Sequence, residues 1–108
     1  MSRLTIMGDI DEERRRQIKI FGDDRHDPIE WFGILAEEHG EVSKAIIENY
    51  DWKNHRFKLE NQKEALHYRE ELVQVAAVCV AMIEDLDRKL TEKYTREMEN
   101  GTRENGNS

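Results

Sequence analysis

The sequence predicts an all-α protein, an antiparallel helical bundle completed by homo-oligomerisation, and three observations carry that expectation. Apolar residues recur at helical spacing in two long segments, whereas no strand-like alternation of useful length occurs. The segment from about Lys63 to Lys89 contains neither Gly nor Pro. That segment is also apolar around most of its circumference, more surface than one small protomer can easily cover.

The elements follow from their end signals. Helix 1 is expected to begin near Asp9 or Asp11, either of which can cap it, and to stop at Phe21-Gly22. The polar stretch GDDRHDP connects it to helix 2, where Asp27 is the expected N-cap, Pro28 suits the first turn, and the helix runs to about Asn49. Tyr50 to Lys63 is locally basic and lacks periodicity, so it is expected to form a substrate-facing loop or an irregular lead-in. In helix 3, Leu72, Val75, Ala76, Cys79, Ile83 and Leu86 make the principal stripe, flanked by Val73, Val78, Val80 and Met82. A short charged helix from Thr91 to Glu99 is expected to follow. Residues 1–99 then form one domain, and 100–108 a disordered tail.

At 108 residues the chain is large enough for one core with little to spare. Its formal charge of −7 argues against stable nucleic-acid binding, because no basic excess exists to neutralise phosphates. A polyanionic ligand would therefore have to arrive with a metal ion. Cys79 is the only cysteine, which rules out an intramolecular disulfide and leaves a packed thiol as the simplest reading. The opening MSRLTIMGDIDEERRR carries charges where a signal segment would be apolar, and Val75 to Ile83 is too short to span a bilayer. A cytoplasmic protein without a membrane association is expected.

Two carboxylate clusters carry the chemistry. Glu37, Glu38 and Glu41 read E-E-x-x-E within helix 2, and Glu70 and Glu71 stand beside Gln74 in helix 3. With roughly 100° per residue, Trp31, Ile34, Leu35, Val42, Ala45 and Ile46 share one stripe, and Glu38 projects from its middle. An ionised carboxylate there needs a partner; without one it raises its pKa or recruits a cation. Glu38 and Glu41 lie three apart, placing their β-carbons about 5–6 Å from each other, and Glu71 and Gln74 repeat the spacing. All-oxygen ligands of this kind suit a hard cation, Mg²⁺ or Mn²⁺. The bland alternative is a solvated acidic face, and it weakens for Glu71 and Gln74, which sit in a segment with almost no polar side.

This pattern resembles the MazG-like branch of the all-α nucleoside triphosphate pyrophosphohydrolases, whose signature is EExxE on one helix and ExxD on the next. The resemblance covers roughly residues 12 to 90 and includes RRRQIKIFG, Trp31 ahead of Glu38, and the GEV and REELVQVAA segments. It implies a helical dimer or tetramer that cleaves a nucleoside triphosphate, standard or non-standard, to monophosphate and pyrophosphate. It also implies that Glu38, Glu41 and Glu71 are Mg²⁺ ligands, and that Glu37 holds a second ion or orients the attacking water. Gln74 departs from the pattern: it stands where the family has Asp, and an amide ligates through oxygen without contributing charge. Its other reading is a buried amide bridging the two helices.

Lys53, Arg56 and Lys58, with His55 and Lys63, form the one basic island and are candidates for binding phosphate; the plainer reading is a solvated loop. Trp52 beside them is a candidate for stacking on a base, or an aromatic anchor for the loop. Glu64 and His67 form a single E-x-x-H, half of a di-iron motif that a dimer would have to complete. The competing class is a non-catalytic helical homo-oligomer that binds nucleotide or a protein partner, and Gln74 keeps it open.

Overall fold

The computed structural model describes residues 2–23 and 25–106, with side chains described as far as residue 101. Three helices, α1 (Arg3–Phe21), α2 (Pro28–Glu48) and α3 (Gln62–Gly106), account for most of it, with strands β1 (Tyr50–Asp51) and β2 (Arg56–Phe57) between the last two. Among the described residues no helix is long and apolar enough to cross a membrane.

α1 starts a full two turns earlier than its acidic residues suggest. Ser2 is the cap, its hydroxyl accepting from Thr5 N at 3.2 Å, and Asp9 is instead spent on an ion pair with Arg69 at 2.7 Å. The expected stop holds: Gly22 takes φ 81°, a left-handed value open to glycine, and its N–H closes on Ile18 O at 2.8 Å. α2 begins as its sequence dictates, with Asp27 and Glu30 forming a reciprocal capping box around Pro28.

The 50–57 segment is more ordered than expected. β1 and β2 pair antiparallel, Tyr50 with Phe57 and Asp51 with Arg56. The Asp51 carboxylate closes the turn by accepting from Lys53 N (3.1 Å), Asn54 N (3.2 Å) and Asn54 Nδ2 (2.8 Å). Buried Asn49 ties the base of the hairpin to α2, its side-chain Nδ2 donating a hydrogen bond to Lys58 O at 3.2 Å. Phe57 docks on Tyr68 of α3, ring centroids 5.1 Å apart.

α3 is one uninterrupted helix of 45 residues, so the separate Thr91–Glu99 helix merges into it. No breaker stands between Lys89 and Thr91, and nothing local ends the ladder there. The expected tail is, through Gly106, the last turns of this helix; residues 107 and 108 lie outside the described residues. At about 1.5 Å per residue α3 sets the long dimension of the molecule, 75 Å.

Both α1 and α2 lie along α3 and touch each other little. Trp31 bonds to Asp85 while Glu38 lies against Glu71, so α2 runs antiparallel to α3, as expected. Asp9 to Arg69, Arg14 to Glu84 and Asp23 to Arg88 make α1 parallel to it. The core is small: Trp31, Val78 and Ala81, with Ile34, Leu35 and Met82 packed against them.

The inward face of α3 is not the expected principal stripe. Glu71, Ala77, Val78, Ala81 and Asp85 are buried, whereas Leu72, Ile83 and Leu86 are 44%, 58% and 53% exposed. Two physical factors explain the reversal. Alanines let two helices approach closely, and Asp85 must lie where the Trp31 indole can reach it.

Candidate functional site

Because α1 and α2 straddle α3 without closing on each other, a groove of about 440 Å³ is left between the three helices. α1 contributes Glu13, Arg14, Arg16, Gln17 and Phe21; α2 and the turn before it contribute His26, Trp31, Ile34, Glu37 and Glu38; α3 supplies Gln74, Val78 and Ala81. The helix directions give the groove two unlike ends. Phe21, His26, Trp31 and Ala81 stand at one, and Glu13, Glu37, Glu38 and Gln74 at the other. Trp31 to Glu38 is seven residues, about 10 Å along the helix.

At the aromatic end His26 meets Trp31 edge-on with centroids 4.7 Å apart. The Trp31 indole N–H donates to Asp85 Oδ2 at 2.7 Å, and the same carboxylate accepts from His26 N and from Lys89 Nζ, each at 3.1 Å. Lys89 Nζ also donates to His26 O. The Trp31 hydrogen bond, with those from His26 and Lys89, holds the Asp85 carboxyl well below the usual carboxylate range. The aromatic wall is thereby fixed in place.

At the acidic end Glu38 lines the groove and feels the charge of Glu71 on α3, which is not among the lining residues. Burial, then the charges of Glu71, Glu37, Glu41 and Glu13, push the Glu38 carboxyl above its ordinary value. Glu38 Oε2 and Glu71 Oε2 are both buried with no hydrogen-bond partner among the described residues. Glu71 is only 7% exposed, and its other oxygen stands 3.8 Å from His67 Nε2. Gln74 is half-buried on the groove wall and Glu37 is on its rim, while Glu41 is exposed and acts on Glu38 from outside the groove. Among the described residues no three His, Cys, Asp or Glu side chains converge closely enough to grip an ion as they stand.

Of the basic island, neither Lys53 nor Arg56 nor Lys58 lines the groove. The hairpin carries them beyond the C-terminus of α2, ten residues past Glu38, which is about 15 Å. Trp52 is 65% exposed and rests edge-on against Tyr50 rather than anchoring the loop to the core. His67 is exposed, and nothing beside it builds a di-iron site among the described residues. The wall from α1 is the part that motif reasoning missed. Glu13 and Arg16 carry an i,i+3 spacing legible in the sequence, but only the tertiary ion pairs of α1 fix the direction it faces.

Comparison of the chain with protein-family models, with curated proteins and with solved structures finds no match.

Proposed function

We propose that this protein is a Mg²⁺-dependent nucleotide pyrophosphohydrolase of the MazG-like kind, acting in the cytoplasm on a nucleoside or deoxynucleoside triphosphate. The observation that carries the reading is a pair of buried oxygens without a hydrogen-bond partner among the described residues: Glu38 Oε2 at the acidic end of a groove whose other end is aromatic, and Glu71 Oε2 on the facing helix, outside the groove lining. Burying two mutually repelling carboxylates without donors is costly, and a divalent cation removes that cost. The donor set fits Mg²⁺ or Mn²⁺: Glu38 and Glu71 from facing helices, Glu41 after a rotamer change, and the amide oxygen of Gln74.

When bound, the cation supplies charge neutralisation at the phosphates and acidifies a water. The rest falls to the chain's own groups. Phe21, His26 and Trp31 offer the base a planar apolar end, and the acidic end lies about a nucleotide's length away. Glu37, on the rim beside Glu38, orients the attacking water and accepts its proton. The water oxygen bonds to the α-phosphorus, the bond to the α,β-bridging oxygen breaks, and pyrophosphate leaves with that electron pair. Monophosphate remains in the groove.

The oligomer belongs to the same reading. Leu72, Ala76, Cys79, Ile83, Leu86 and Leu90 alternate spacings of four and three on the outward side of α3, a heptad seam that a second copy would cover. Gln74 favours one other reading, a non-catalytic homo-oligomer that binds nucleotide without cleaving it.

Product analysis with purified protein, Mg²⁺ and a nucleotide panel separates the two. Monophosphate with pyrophosphate supports the enzyme, tight binding without turnover supports the binder, and neither binding nor turnover sinks both. Gln74→Asp refines the result: a ligand position gains a charge, so Mg²⁺ affinity rises about tenfold. Unchanged affinity with a lower Tm would remove Gln74 from the site.

A further inference from the structure

We infer that Arg16 is the side chain that binds the β- and γ-phosphates of the nucleotide, and that Glu13 is its partner while no nucleotide is bound. The inference rests on the function proposed above and adds the phosphate-binding residue, which neither sequence motif contains.

Two guanidinium groups line the groove, Arg14 and Arg16. Arg14 is committed to the fold: its buried side chain bonds Glu84 at 2.8 Å and Asp23 at 3.1 Å, joining α1 to α3 and to the turn after it. Arg16 is held differently. Its Nε and Nη2 form a two-point contact with the Glu13 carboxylate, 2.8 and 2.6 Å, and its side chain is half exposed. A guanidinium fork that grips a carboxylate at two points grips a phosphate equally well, and the phosphate brings more charge.

Position along the groove selects which phosphate. The Arg16 side chain leans back one turn to the level of Glu13, as helical side chains do. That level is eight residues from Phe21, about 12 Å. With the base at the aromatic end, a nucleoside and its α-phosphate end short of Arg16, and the β- and γ-phosphates reach it.

Glu13 makes the exchange conditional. Its side chain is only 14% exposed and its charge is felt at Glu38, so withdrawing Arg16 leaves one more uncompensated carboxylate facing the acidic end. A cation arriving with the nucleotide compensates for that charge; nucleotide alone does not. Arg16 should therefore change partners only when Mg²⁺ and phosphate arrive together.

The test is calorimetric titration of native protein, R16Q, R16K and E13Q with a non-hydrolysable α,β-methylene triphosphate, with a monophosphate and with inorganic pyrophosphate. For R16Q in Mg²⁺, triphosphate analogue and pyrophosphate should bind about ten- to a hundredfold more weakly while the monophosphate is unchanged. R16K keeps the charge but loses the fork and should fall between, which preserves the test should R16Q fold poorly. E13Q releases Arg16 and should bind pyrophosphate without Mg²⁺ more tightly than native protein does. Pyrophosphate affinity unchanged in both R16Q and R16K, or monophosphate affinity falling in parallel, overturns the role of Arg16 alone. Native protein that binds neither triphosphate analogue nor pyrophosphate overturns the proposed function with it.

Discussion

Asp85 and Glu38 are carboxylates on the inner sides of packed helices, and their surroundings drive them in opposite directions. Asp85 receives hydrogen bonds from Trp31, His26 and Lys89, so folding lowers its pKa. Its stabilisation is complete above the unfolded value of about 3.9 and disappears as the pH falls through the lower folded value. Glu38 is partly buried and feels the charges of Glu71, Glu37, Glu41 and Glu13, so folding raises its pKa. The penalty is absent below the unfolded value of about 4.3 and becomes complete as the pH rises past the folded value. Thermal melts of metal-free protein between roughly pH 3 and 8 test both claims. Glu38→Gln should raise Tm at neutral pH and leave it unchanged in acid. Asp85→Asn should lower Tm at neutral pH and flatten its fall on the acid side. A Glu38→Gln variant less stable than the parent at pH 7 without metal would mean that Glu38 has donors in the fold.

The helices divide their information unevenly between local and distant causes. Asp27, Pro28 and Gly22 were readable because cap chemistry is settled within one turn, whereas the i,i+3 spacing of Glu38 and Glu41 did not decide where each side chain goes: Glu38 lines the groove and Glu41 is exposed outside it. Which face of α3 turns inward was not readable, because both faces are apolar. The choice rests on two alanines and on the Trp31–Asp85 bond across 54 residues of sequence. The α1 wall of the groove was hidden for the same reason: Arg14 to Glu84 and Asp9 to Arg69 orient it from another element. The two faces of α3 therefore predict different mutational behaviour. Ala77→Leu or Ala81→Leu forces α1 and α2 outward and should cost about 1–3 kcal/mol in denaturant unfolding. Ile83→Glu or Leu86→Glu leaves the protomer core untouched and should instead abolish the proposed self-association, read by light scattering at micromolar concentration. Parent protein that is already monomeric there rejects the heptad seam.

On the scale of the whole molecule, the three-residue buried apolar cluster is supplemented by ion pairs that fasten α1 and the turn after it to α3, while the acidic end remains a place where the fold is under electrostatic load. A load of that kind is relieved by a cation bound between the carboxylates, and any ligand that binds the folded state and not the unfolded chain adds stability. At a concentration one hundred times its Kd, such a ligand adds about 2.7 kcal/mol. For a chain of this length that corresponds to a rise in Tm on the order of 10 °C. Mg²⁺ or Mn²⁺ should produce this rise in native protein, while Na⁺ at matched ionic strength should not, since screening weakens α1's ion pairs as well as the repulsion. Glu71→Gln provides the control inside the molecule. It removes one of the two charges at Glu38 and Glu71, each of which has one oxygen without a hydrogen-bond partner among the described residues, so the metal-free variant should melt higher than native protein yet gain little from Mg²⁺. Scanning calorimetry of both proteins with and without the ion decides the matter: an equal Mg²⁺ shift in native protein and Glu71→Gln would place the binding of the cation somewhere other than between α2 and α3.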